Sequence, residues 1–221
     1  MQDTTITLDG TTESEPAIRQ VDTVVFDLGG VLLNWNPRYL YRSIFADEAK
    51  MEWFLSEVTH HDWNVAQDAG RTWDEAVAEA IARHPDWERE IRAYRERWHE
   101  MIPDAIEGTV AILERLHAGG VPLYAITNFA ADTFMEARDR FPFLQRFRDV
   151  VVSAAERVLK PDPRIYRILA ERNALDLARC VFIDDVEKNV AGARAVGMEA
   201  IHFVGPEDLE TRLRALGVLA D

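Results

Sequence analysis

Five short apolar runs, at 21–26, 121–126, 149–152, 180–183 and 200–204, constrain this chain most, because none of them alternates apolar with polar residues. A strand that is hydrophobic at nearly every position must be covered on both faces, as in a parallel sheet sandwiched between helices. Helical patterns fill most of the gaps. One helix is expected over 109–117, ended by Gly119-Gly120. A second opens near Pro163 and carries Ile165, Ile168 and Leu169 on one face; a third runs over 187–196 and stops at Gly197. Strands alternating with helices predict a doubly wound α/β core.

The stretch 36–105 breaks this rhythm. It holds no convincing strand, and all six tryptophans fall between Trp35 and Trp98. Thr72-Trp73-Asp74-Glu75 is a capping-box sequence that opens a helix. Pro85 suits a first helical turn, after which Trp87, Ile91, Tyr94 and Trp98 recur at helical spacing. A small all-helical unit inserted after the first strand is expected, its tryptophans forming core rather than touching a ligand. The chain then divides into a tail over 1–20, a core built from 21–35 and 106–221, and a helical insert over 36–105. The tail is polar and Thr-rich, lacks the basic and apolar regions of a signal peptide, and is read as loose.

A length of 221 residues suffices for a core with a smaller insert. The formal net charge of −14 argues against nucleic acid and anionic membranes as partners. No apolar stretch is long enough to span a bilayer. A cytoplasmic protein acting on a small molecule is the expectation, and an anionic substrate would need a local pocket of positive charge. Nothing in the sequence fixes an oligomeric state. The single cysteine, Cys180, lies in an apolar run and is read as a buried core thiol.

Open α/β sheets form their sites at the carboxyl ends of strands. The first run ends in Asp27, the second in Thr127-Asn128, and the fourth in Asp184-Asp185; the loop after the third carries Lys160. Taken singly, each has an ordinary explanation as a turn, a helix cap or a solvated loop residue. Taken together, three carboxylates on neighbouring strand ends repel one another unless some stay protonated or a cation sits among them. Hard oxygen donors with no His or Cys beside them suit Mg²⁺. With a cation keeping Asp27 ionised, its free oxygen could attack phosphorus and form an aspartyl-phosphate. Lys160 would supply charge, and Thr127 and Asn128 hydrogen-bond donors.

These four segments, "VVFDLGGVL", "LYAITNF", "RVLKPDPRIY" and "VFIDDVEKN", together resemble the four motifs of the haloacid dehalogenase superfamily. The resemblance extends from Val21 to the C-terminus. It implies a Rossmann-like parallel sheet of about five strands, ordered 5-4-1-2-3, with the insert as the family's helical cap over the site. It implies that Asp27 is nucleophile and metal ligand, and that Thr127, Asn128 and Gly30 bind the transferring group. Lys160 would hold both Asp27 and the phosphate. Asp184, Asp185 and the Gly29 carbonyl would complete the Mg²⁺ site.

One departure from the family pattern matters. Most of its phosphatases carry a second Asp two residues after the nucleophile, which protonates the leaving group; here that position is Gly29. General acid catalysis is worth about 10²–10⁴-fold. "FDLGGVL" and "WNVAQDAGRTWDEA" look like a subgroup that includes bacterial glucose-1-phosphate phosphatases, which also have Gly there. Sugar phosphates are therefore the expected substrates, with His60, His61 or Asp62 of the cap as substitute acids and Arg71 as a contact for the substrate anion. Two rival readings stay open. A 2-haloacid dehalogenase would use Asp27 without metal and would use Tyr166 at the family's Lys-to-Tyr spacing, but two further carboxylates would repel its substrate. A non-catalytic phosphate-binding or regulatory protein would explain the missing acid.

Overall fold

A computed structural model describes residues 20–220, so the tail assigned to 1–20 lies, apart from Gln20, outside the described residues. Among the described residues there are five strands: β1 Thr23–Phe26, β2 Leu123–Thr127, β3 Asp149–Val152, β4 Cys180–Asp184 and β5 Glu199–His202. All four neighbouring pairs are parallel, in the order β3-β2-β1-β4-β5. This is the expected order read from the opposite edge. The helices are α1 Arg38–Tyr41, α2 Glu48–Glu57, α3 His61–Asp68, α4 Trp73–Arg83, α5 Glu88–Glu96, α6 Glu107–Ala118, α7 Ala131–Arg140, α8 Ser153–Glu156, α9 Pro163–Asn173, α10 Glu187–Ala195 and α11 Pro206–Ala215.

The absence of alternation in the apolar runs has a direct cause. β1, β2 and β4 are buried at every residue. Val24 and Phe26 point into one apolar cluster, which continues through α6, α11 and the helices between β1 and α6. Val25 points the other way, against Tyr124, Phe182, Tyr166 and Leu169. Each such side chain, fully buried, contributes about 1.5–3 kcal/mol, and both faces of the strand collect it. The lone cysteine is part of this interior, its thiol pushed up to about 12 by burial.

Between β1 and α6 the named elements are helical: α1 to α5, with short 3₁₀ turns at Pro85–Trp87 and Trp98–Met101. The capping box at Thr72 forms as expected, Thr72 and Glu75 each bonding the other's backbone N–H. The chain enters and leaves this helical layer at one place. Leu33 and Ala105 pair as an antiparallel bridge, the Asn34 N–H donates to Asp104 O at 3.2 Å, and the Ile106 N–H donates to Leu32 O at 2.8 Å.

The tryptophans divide their roles. Trp63 and Trp73 pack with Tyr94 in one buried ring cluster, with centroids 5.0–5.8 Å apart. Trp98 is buried against Phe129. Trp35 and Trp53 are exposed, correcting the expectation that the whole set forms core. Among the described residues no helix is long and apolar enough to cross a membrane.

Candidate active site

The register of the sheet brings the polar strand ends together. Phe26 lies opposite Ala125 on β2 and Ile183 on β4, so Asp27 is level with Asp184 on one side and, on the other, with Ile126, two residues before Asn128. The Asp27 N–H still donates to Ile183 O at 2.8 Å, which extends the ladder by one residue and fixes the carboxylate at the sheet edge. The Leu28 N–H donates to Asp27 Oδ1 at 2.7 Å.

Lys160 comes from the loop between α8 and α9, and Asn128 holds that loop. The Lys160 N–H donates to Asn128 Oδ1 at 2.8 Å, and Asn128 Nδ2 donates back to Lys160 O at 3.2 Å. The buried ammonium lies 2.8 Å from Asp27 Oδ1 and 2.7 Å from Asp184 Oδ2. Asp184 also accepts from the Val186 N–H at 2.8 Å and, on both oxygens, from Asn189 Nδ2 at 3.1 Å. Tyr166 stands behind this group, donating its hydroxyl to Asn189 O at 2.8 Å, and does not line the cavity. Thr127 is buried as the last residue of β2.

One oxygen from each of Asp27, Asp184 and Asp185 lies within 4.8 Å of the others. Burial, and then the neighbouring Asp184, push the Asp27 carboxyl up to about 7 against the pull of Lys160. Asp185 is raised for the same two reasons. Burial works against the charge of Lys160, but Asp27 and Asp184 together hold its pKa above the ordinary lysine range. One ammonium thus faces three carboxylates. A donor set of carboxylate oxygens, with no imidazole or thiolate in the cluster, fits Mg²⁺. The backbone beside it is shaped to match: Gly30 has φ +74°, and a Cβ there would collide with the Asp185 carboxylate.

These groups form one end of a cavity of about 470 Å³. Asp27, Gly29, Gly30, Asn128, Lys160 and Asp185 line that end; Thr127 and Asp184 lie behind it. Trp35, Trp73, Trp98 and Phe129 form an aromatic wall, which the expectation of a purely structural tryptophan set misses. His61, Asn64, Val65 and Asp68 of α3 also line the cavity, and their 3–4 spacing is the sequence signal that could have found them.

Two cap residues proposed from sequence stand elsewhere. His60 is the N-cap of α3, its Nδ1 accepting the Trp63 N–H at 3.2 Å, and it does not line the cavity, whereas His61 and Asp62 do. Arg71 is not brought to the cavity either. Its guanidinium donates to Gln67 Oε1 at 2.7 Å and Trp63 O at 2.9 Å, and pairs with Glu79. The side chain thereby bolts α3 to α4.

Residues 21–197 match the family described as haloacid dehalogenase-like hydrolase. Sesquiterpene phosphatase astK of Aspergillus oryzae is 27% identical over 180 residues, 81% of this chain and 88% of that protein. A phosphorylated carbohydrates phosphatase of Thermotoga maritima is 22% identical over 187 residues, 83% of this chain and 85% of that protein. Among solved structures, the magnesium complex of HAD family enzyme bt-2542 from Bacteroides thetaiotaomicron superposes with a TM-score of 0.71. It is 20% identical and covers 88% of this chain and 99% of its own, a likeness of fold.

Proposed function

The chain belongs to the haloacid dehalogenase-like hydrolases, and we propose that within them it is a Mg²⁺-dependent phosphatase acting on a small phosphomonoester through an aspartyl-phosphate on Asp27. One observation carries this reading: a nucleophilic carboxylate, a buried ammonium and two further carboxylates converge at one end of a cavity large enough for a metabolite. The phosphatase relatives support the same reaction type.

Asp27 presents one oxygen to Lys160 and the Leu28 N–H, which fixes the carboxylate plane and leaves the other oxygen for attack on phosphorus. The P–O ester bond breaks as the Asp27–phosphorus bond forms, and water then cleaves the acyl phosphate. Lys160 neutralises phosphoryl charge, and Asn128, which lines the cavity, holds the Lys160 loop. Mg²⁺, held by Asp27, Asp184, Asp185 and the Gly29 carbonyl, would neutralise phosphoryl oxygens and keep the nucleophile ionised. The helical layer lines the far side of the cavity through α3, Trp73 and Trp98.

For the substrate, the carbohydrate phosphatase relative and the polar face of α3 support a sugar phosphate. A second reading, an ester with an apolar body, is favoured by the aromatic wall of Trp35, Trp73, Trp98 and Phe129 and by the sesquiterpene phosphatase relative. Phosphate release from sugar phosphates, farnesyl phosphate and p-nitrophenyl phosphate, with Mg²⁺ and with EDTA, tests both. Release that requires Mg²⁺ and is lost in Asp27→Asn is the expected result. Release unchanged in EDTA, or no release from any ester, refutes the reaction; halide release from 2-chloropropionate in EDTA would move the chain to the dehalogenases.

A further inference from the structure

We propose that Asp68, at the end of α3, is the proton donor to the leaving oxygen and the base that activates water in the second half-reaction. The inference rests on the phosphatase reading and supplies what Gly29 lacks. The position of Gly29 is open: a Cβ built there meets no atom within 4 Å. Gly29 thus supplies no acid, and the helical layer, which lines the same cavity, can supply one.

Of the α3 carboxyls that line the cavity, Asp62 is exposed in the first turn, while Asp68 is partly buried. Asp68 feels the charge of Lys160, and its own charge is felt by the buried Tyr94. It therefore sits between the site and the aromatic core of the helical layer. Its main chain is pinned to the sheet side. Ser153 Oγ donates to Asp68 O at 2.6 Å and itself accepts the Phe129 N–H at 2.9 Å. Two residues on, Gly70, with φ +101°, approaches the Ala154 carbonyl so closely that a Cβ would lie 3.1 Å from that oxygen. The end of α3 is thus docked where the strands deliver their catalytic groups.

A carboxylate is a poor choice for the last residue of a helix, where the exposed carbonyls repel negative charge. Half-burial adds to that cost. Both penalties favour the protonated acid, and burial holds this carboxyl at about 7 even with Lys160 nearby. A group so poised carries a proton in part of the population at neutral pH and gives it up readily. In the first step the Asp27 oxygen bonds to phosphorus, the P–O ester bond breaks, and the Asp68 proton passes to the leaving oxygen. In the second, the Asp68 carboxylate takes a proton from water as that water's oxygen bonds to phosphorus and the P–O bond to Asp27 breaks. Asp68 ends protonated, as it began.

The test compares leaving groups. Asp68→Asn keeps shape and removes the proton. Its kcat/KM, which reports the first half-reaction, is measured with an alkyl phosphate and with p-nitrophenyl phosphate, whose leaving group needs no proton. A fall of about 10²–10⁴-fold for the alkyl ester, with less than about 10-fold for the aryl ester, is expected. Equal falls for both esters would show a structural role, and no fall for either would show no role; each overturns the proposal. Absence of release by the wild type would instead overturn the phosphatase reading.

Discussion

Replacing Lys160 by methionine isolates the force that holds the site together. The ammonium bridges Asp27 Oδ1 and Asp184 Oδ2 at 2.8 and 2.7 Å, and all three side chains are nearly or fully buried. At an effective dielectric of about 20, each contact is worth about 6 kcal/mol of Coulomb attraction. Against the two stands the cost of taking the lysine itself out of water, several kcal/mol. Methionine fills similar volume but leaves two carboxylates facing each other, and breaking a buried pair in this way costs about 3–5 kcal/mol. The measurement is urea unfolding at pH 8 in EDTA, followed by circular dichroism so that the sheet is observed. A variant within about 1 kcal/mol of wild type would refute the reasoning, because it would mean that the carboxylates bear no net charge for Lys160 to neutralise.

Three further outcomes are expected. Gly30→Ala puts a Cβ into the Asp185 carboxylate and an alanine at φ +74°; calorimetric titration should show weakened Mg²⁺ binding, with about 1–2 kcal/mol of stability lost to backbone strain. Arg71→Ala removes the tie between α3 and α4 without touching the cavity; Tm should fall while KM stays near wild type, and a KM rise beyond about 10-fold would restore Arg71 as a substrate contact. Asp68→Asn should gain stability relative to wild type as pH rises. Both folded and unfolded Asp68 are protonated below 3.8; between there and about 7 the unfolded chain ionises and the folded one does not, so wild type loses stability over that window. The full shift corresponds to at most about 4 kcal/mol, and partial exposure reduces the expected gain to about 1–2 kcal/mol. Equal Tm differences at pH 4 and pH 8 would contradict it.

The sheet and its carboxyl-end residues were legible because both signals are local. An all-apolar run needs cover on both faces, which places it in a sheet between helices, and a polar residue closing it stands at the carboxyl end of that sheet; Asp27, Asn128, Asp184 and Asp185 follow from that alone. Lys160 needed the order of all four segments, because nothing in its own loop says where the side chain points. The helical layer was legible as helices but not as a surface. Trp73 and Trp98 satisfy a core pattern and line the cavity as well, a double role that burial patterns do not separate. His60 and Arg71 failed to reach the cavity for one reason: their partners lie within a few residues or one helix away, and local bonds captured them before the site did. The spacing of α3 puts Asp68 on one face with His61 and Asn64, but that this face meets Ser153 and Lys160, far along the chain, is not written in α3 itself.

The helical layer departs from the sheet and rejoins it through two paired segments, Leu33 beside Ala105 and Asn34 beside Asp104, the latter also joined by a side-chain bond of 2.8 Å. An insertion whose ends already meet puts little strain on the strands that flank it. Its length and contents can drift while the register that aligns Asp27 with Asp184 stays as it is. Substrate range and bond-breaking chemistry can therefore diverge separately in descent, with one exception. A lineage that exchanged this insert for another would discard Asp68 with it, and would have to find its acid again, most directly by filling the open space at Gly29.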